Sequence, residues 1–146
     1  MTGGHLVRRF ATSLSSRPPS DADDAWARRW LEPSEAVLWV RLSNPDRRHA
    51  IEVTRRFLAR RASASRAEIA GALLHDVGKL DAGLGTWGRV VATAVGPRCE
   101  RFRRYHEHGA IGARWLADGG SDPATVELVT GAGPAAADLR AADDSI

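Results

Sequence analysis

A chain of 146 residues that is 43% apolar and 27% charged has the size and composition of one soluble globular domain, and it excludes collagen-like and wholly disordered classes. No apolar run approaches the roughly 18 to 20 residues of a membrane span, and the lone Cys99 excludes an internal disulfide. The net charge of +3 is unevenly spread: residues 1–66 hold 13 arginines against 7 acids, residues 67–146 hold 8 basic residues against 11 acids, and Lys79 is the only lysine.

Residues 1–20 read as a basic lead-in that closes on the Pro18-Pro19-Ser20 linker. Leu6-Val7-Arg8-Arg9-Phe10 interrupts any secretory apolar core at once, so a cytoplasmic location is expected. Residues 21–44 read as N-terminal helices. Asp21, Asp23 and Asp24 supply the negative charge a helix N-terminus favours, ahead of Trp26, Trp30 and Leu31. Pro33 restarts a helix whose apolar content is Val37, Leu38, Val40 and Leu42, and Ser43-Asn44-Pro45 stops it. Residues 45–146 form the main domain. A helix over about 45–61 places His49, Val53 and Phe57 on one face at four-residue spacing. The periodic run Ile69, Ala70, Leu73, Leu74, Val77 predicts a helix that ends at Gly78. Further helices are expected at about 86–95, 107–118, 122–130 and 135–144, with no alternating strand pattern anywhere. The class expected is all-α, a single-domain helical bundle.

The chemistry concentrates in Ala72-Leu73-Leu74-His75-Asp76-Val77-Gly78-Lys79-Leu80. Imidazole nitrogen beside carboxylate oxygen suits Zn, Mn, Fe or Co, and a lysine on the following loop is placed to meet a phosphate as a point charge. A His-Asp pair alone is common, and a buried histidine is more often hydrogen-bonded core than ligand. What shifts the balance is the larger set of His49 on a core-facing stripe, His75-Asp76, the Gly78-Lys79 exit and Asp143 in a final helix.

With Asp46-Arg47-Arg48-His49, His108-Gly109-Ala110-Ile111-Gly112 and Ala141-Ala142-Asp143, this segment resembles the HD-domain superfamily of metal-dependent phosphohydrolases, over about residues 45–146. The resemblance implies about five core helices and one divalent ion, Mn, Fe, Co, Zn or Mg, held by His49, His75, Asp76 and Asp143. It implies hydrolysis of a phosphoester of a small molecule, plausibly a nucleotide. Asp76 then orients a water whose pKa the ion lowers, Lys79 with arginines among Arg98, Arg101, Arg103 and Arg104 holds the phosphate, and His108 donates a proton to the leaving oxygen or binds phosphate; Trp87, between Gly85 and Gly88 shortly after Lys79, is placed to border the pocket and stack on a base. Arg98, Arg101, Arg103 and Arg104 otherwise read as a solvated surface, and Cys99 as a free thiol.

Dinuclear relatives carry further histidines before the last aspartate. Here only His106 and His108 occupy that interval, and Glu127 is the ionisable group in the Val126–Pro134 stretch, so one ion is expected. The absent histidines also motivate an alternative, a non-catalytic HD-type module that binds or senses a nucleotide. A nucleic-acid partner rests on the basic N-terminal half alone and is disfavoured, no membrane partner is expected, and a homodimer is left open.

Overall fold

The computed structural model describes residues 16–82 and 109–146, and every regular element in them is helical. Helix α1 is Asp21–Arg28, α2 Pro33–Arg41, α3 Asn44–Arg60 and α4 Arg66–Leu73. A 3-10 helix follows at Val77–Ala82; residues 109–118 form α5, Pro123–Val129 α6 and Ala136–Asp144 α7. Among these elements none is long and apolar enough to cross a membrane.

The helix starts follow from side chains that satisfy otherwise unpaired N–H groups. The Oγ atoms of Ser20, Ser43 and Ser65 accept from the N–H groups of Asp23, Asp46 and Glu68. At α4 the cap is reciprocal, since the Glu68 carboxylate accepts from the Ser65 N–H at 3.0 Å. Proline stands in the first turn of α2, α3 and α6, where its missing N–H costs nothing.

The periodic apolar positions of α3 and α4 are buried as expected: Val53 and Phe57 on one, Ile69, Ala70 and Leu73 on the other. Helix α3 packs against both α4 and α7, and α4 packs against α6. The α4–α6 approach is close because Gly71 has no side chain; a Cβ there would lie 3.1 Å from Leu128 Cβ. Thr125 Oγ1 ties the same pair, donating to the buried Ala67 carbonyl at 2.7 Å. The N-terminal helices share this core. Ala27 and Trp39 cluster with Ile51, Leu73, Leu74 and Leu116, and Trp39 is wholly buried with its indole N–H on Asp24 Oδ1 at 2.9 Å.

Two expectations need correction. Val37 and Val40, read as apolar content of α2, are 60% and 48% exposed, and the buried face of that helix belongs to Glu35 and Trp39. The helix carrying the His-Asp pair ends at Leu73, well short of Gly78. Its end is set by polar competition: the His75 imidazole Nδ1 takes the Ala72 carbonyl at 2.7 Å, while Val77 N–H turns back to Leu74 O and Lys79 N–H to Asp76 O. His75 and Asp76 thus stand on a turn between α4 and the 3-10 helix. Adjacent residues of a helix point about 100° apart, and the turn removes that constraint.

A candidate metal centre

Three segments distant in sequence supply the site. His49 projects from the second turn of α3, beyond the Ser43 cap, on the same helix as the buried Val53 and Phe57. Asp143 comes from the end of α7, which packs on α3 along much of its length. Arg56 reinforces that packing by donating to the Ser145 carbonyl at 2.6 Å. His75 comes from the turn after α4, held by Leu74 and Val77, both completely buried.

The ligating atoms of His49, His75 and Asp143 all lie within 4.8 Å of one another, a group that could hold a metal ion. His49 Nε2 is 3.0 Å from Asp143 Oδ1, and His75 Nε2 is 3.9 Å from Asp143 Oδ2. Asp76 borders the group with Oδ2 3.5 Å from His75 Nε2, and it accepts a hydrogen bond from Lys79 Nζ at 2.9 Å. Four of the residues expected to act together, and Lys79 with them, therefore meet in one place.

His75 tests whether these residues fit an ion. A ring nitrogen against a carbonyl oxygen must donate, so Nδ1 carries a proton and Nε2 is the nitrogen left to offer a lone pair to an ion. That Nε2 is buried, lacks a hydrogen-bond partner among the described residues and faces two carboxylates. A lone pair aimed at anionic oxygens is repelled unless a cation or a second proton lies between them. Backbone fixation of the distal nitrogen is also what orients a metal-binding imidazole. Two imidazoles and a carboxylate suit a borderline divalent ion.

The electrostatics agree. Burial works to raise the Asp76 pKa, but the charge His75 carries when both its nitrogens are protonated, as they can be where no ion lies against Nε2, and those of Lys79 and His49 overcome it and hold the carboxyl far below the usual range. Burial likewise opposes Asp143 ionisation, and the His49 hydrogen bond and His75 charge outweigh it, so its pKa is lowered. For His49 burial favours the neutral ring, yet the Asp143 hydrogen bond and the charges of Asp76 and Asp143 raise its pKa. Both carboxylates are therefore anionic at neutral pH.

No protein-family model, curated protein or solved structure matches this chain. The site's chemistry must be read from its own residues. His75, Asp76, Lys79 and Asp143 line a cavity of about 140 Å³ together with the apolar Leu128, Val129 and Leu139. Sequence reasoning missed another polar lining residue, Arg140, although it lies three residues before Asp143 on one helix and so shares its face. Trp87, Arg104, His108, Cys99 and the other arginines of 98–103 lie outside the described residues. Glu127 is exposed and does not line the cavity.

Proposed function

We propose that the protein is a metal-dependent phosphohydrolase of the kind implied by its HD-domain resemblance, acting on a small phosphorylated compound. The observation that carries the reading is the buried, unpartnered Nε2 of His75, facing the carboxylates of Asp143 and Asp76. Such an arrangement is poorly satisfied by protein atoms alone. When bound, a divalent ion supplies Lewis-acid activation of water and neutralises charge developing on a phosphoryl oxygen.

The chain's own residues do the positioning. The Ala72 carbonyl fixes the tautomer of His75, and Asp143 fixes the ring of His49. Lys79 holds Asp76 ionised and oriented at the cavity wall, where its carboxylate can accept a hydrogen bond from a water approaching phosphorus. Lys79 also brings positive charge to the same wall, as a phosphate ester requires. The apolar lining residues Leu128, Val129 and Leu139 limit water beside the reacting group.

Protein purified without chelator should carry about one equivalent of transition metal and hydrolyse at least one member of a panel of phosphomonoesters, cyclic nucleotides and nucleoside triphosphates. Asp76→Ala should abolish that turnover. Metal-replete protein inactive across the panel, yet thermally stabilised by a nucleotide, would overturn the hydrolase reading in favour of a binding module.

A further inference from the structure

Four of the five arginines of α3 are committed to structure: Arg47, Arg55, Arg56 and Arg60 each lie 2.7 to 3.8 Å from a carboxylate. Arg140 differs. Asp143 and Asp144 stand three and four residues further along α7, the spacing at which helical ion pairs form, but Arg140 pairs with neither and makes no ion pair or hydrogen bond among the described residues. Asp143 is turned instead toward His49. The guanidinium is exposed, and its residue lines the same cavity as His75, Asp76, Lys79 and Asp143.

We propose that Arg140 is the anion receptor of this cavity, the residue that takes the non-bridging oxygens of a substrate phosphate and selects a dianionic phosphomonoester over a monoanionic diester. The inference rests on the phosphohydrolase reading for its substrate, but its geometry stands on α7 alone. A guanidinium offers parallel N–H donors that match two oxygens of one phosphate. Lys79 is already engaged with Asp76, so the planar recognition falls to Arg140. The charge count among the described lining residues gives the selectivity: Asp76 and Asp143 are balanced by Lys79 and Arg140, and a divalent ion leaves an excess of two positive charges. A phosphomonoester dianion neutralises that excess, whereas a diester leaves one charge uncompensated in a partly desolvated site.

The test uses full-length protein loaded with Mn(II), titrated calorimetrically with inorganic phosphate and separately with dimethyl phosphate. Wild type should bind phosphate at least about tenfold more tightly than dimethyl phosphate. Arg140→Gln should weaken phosphate binding by roughly ten- to thirtyfold, and Arg140→Lys should recover part of the loss. Metal stoichiometry should stay unchanged in both variants. With p-nitrophenyl phosphate as substrate, Arg140→Gln should raise KM by a similar factor and change kcat by less than about threefold. The proposal is overturned if wild type binds neither anion, if phosphate affinity stays within about twofold in Arg140→Gln, or if the two anions bind equally. Phosphate binding that depends on Arg140 without any ester turnover overturns the hydrolase reading and leaves the receptor standing. Arg140 is exposed and without partners in α7, so its variants should fold; Arg140→Lys provides the check if Arg140→Gln does not.

Discussion

Two buried polar groups divide the molecule into contrasting regions. Glu35 of α2 is completely buried and saturated: its carboxylate accepts from the Glu32 N–H at 2.8 Å and Ser121 Oγ at 2.8 Å, with Arg66 Nη1 at 3.4 Å. His75, on the turn after α4, is less deeply buried, but its Nε2 is buried and keeps no hydrogen-bond partner among the described residues while facing two carboxylates. One region uses a buried charge to join α2, α4 and the start of α6. The other leaves that nitrogen without a hydrogen-bond partner among the described residues. The contrast teaches that neither burial nor a missing partner alone singles out a site in this fold, since Trp30 Nε1, Arg47 Nε and Arg61 Nε are also buried without a hydrogen-bond partner among the described residues; the two carboxylates it faces set His75 Nε2 apart.

Substitutions should separate the two regions. The largest effect is expected from Asp143→Asn, which preserves volume but removes an anionic ligand. Manganese affinity should fall by roughly a thousandfold, about 4 kcal/mol, while the melting temperature of the metal-free protein moves little. Retained affinity by calorimetry would remove Asp143 from the site. Glu35→Ala should do the reverse. Stranding Arg66, Ser121 and the Glu32 N–H should cost about 3 kcal/mol in urea unfolding, and manganese affinity at 20 °C should hold to within about threefold.

Gly112→Ala sits between these extremes because α5 rests directly on the turn that follows Asp76. A Cβ there would lie 2.9 Å from Val77 Cγ1 and 3.0 Å from Gly78 N, so about 2 kcal/mol of stability should be lost, together with part of the metal affinity as the turn shifts. An unchanged unfolding midpoint would refute that contact.

The smallest effects concern pH. Burial works to raise the Glu68 pKa, but the Ser65 N–H and the Arg61 guanidinium outweigh it and hold it below 4.5. Its stabilisation is therefore present above the unfolded-state pKa and is lost as pH falls through the lower folded value. Glu68→Gln should flatten the acid limb of the stability curve by less than about 1 kcal/mol. The raised pKa of His49 has the opposite sense in metal-free protein. Its contribution is full below the unfolded value of 6.5 and disappears as pH rises through the higher folded one. An ion must displace that proton, so manganese affinity measured from pH 6 to 8 should rise, and His49→Gln should reduce the dependence.

Much of this was legible from the chain. Helical periodicity located α3 and the buried stripe with Val53 and Phe57, because those positions obey a simple 3.6-residue repeat. The motif residues converge because His75, Asp76, Lys79 and Asp143 sit on the turn and 3-10 helix after α4 or near the end of α7, beside the second turn of α3 that carries His49. The early end of α4 was hidden, since apolar spacing continues through Leu74 and Val77 while a side-chain-to-carbonyl bond from His75 stops the helix. Glu35 was equally hidden: a glutamate in a helical first turn reads as a solvated cap residue, and only tertiary packing shows Ser121 and Arg66 around it. Arg140 escaped notice in an arginine-rich chain because composition cannot tell a paired guanidinium from an unpaired one.

His49 and Asp143 are 94 residues apart, and His75 divides the interval between them. An ion coordinated by all three closes two long loops at once, and for flexible chains the entropy of closure grows only logarithmically with length. Occupancy is therefore also a topological constraint that opposes unfolding and is linked to the free concentration of metal. Chelation should first release α7, seen as faster amide exchange along Ala136–Asp144 before exchange rises in α4.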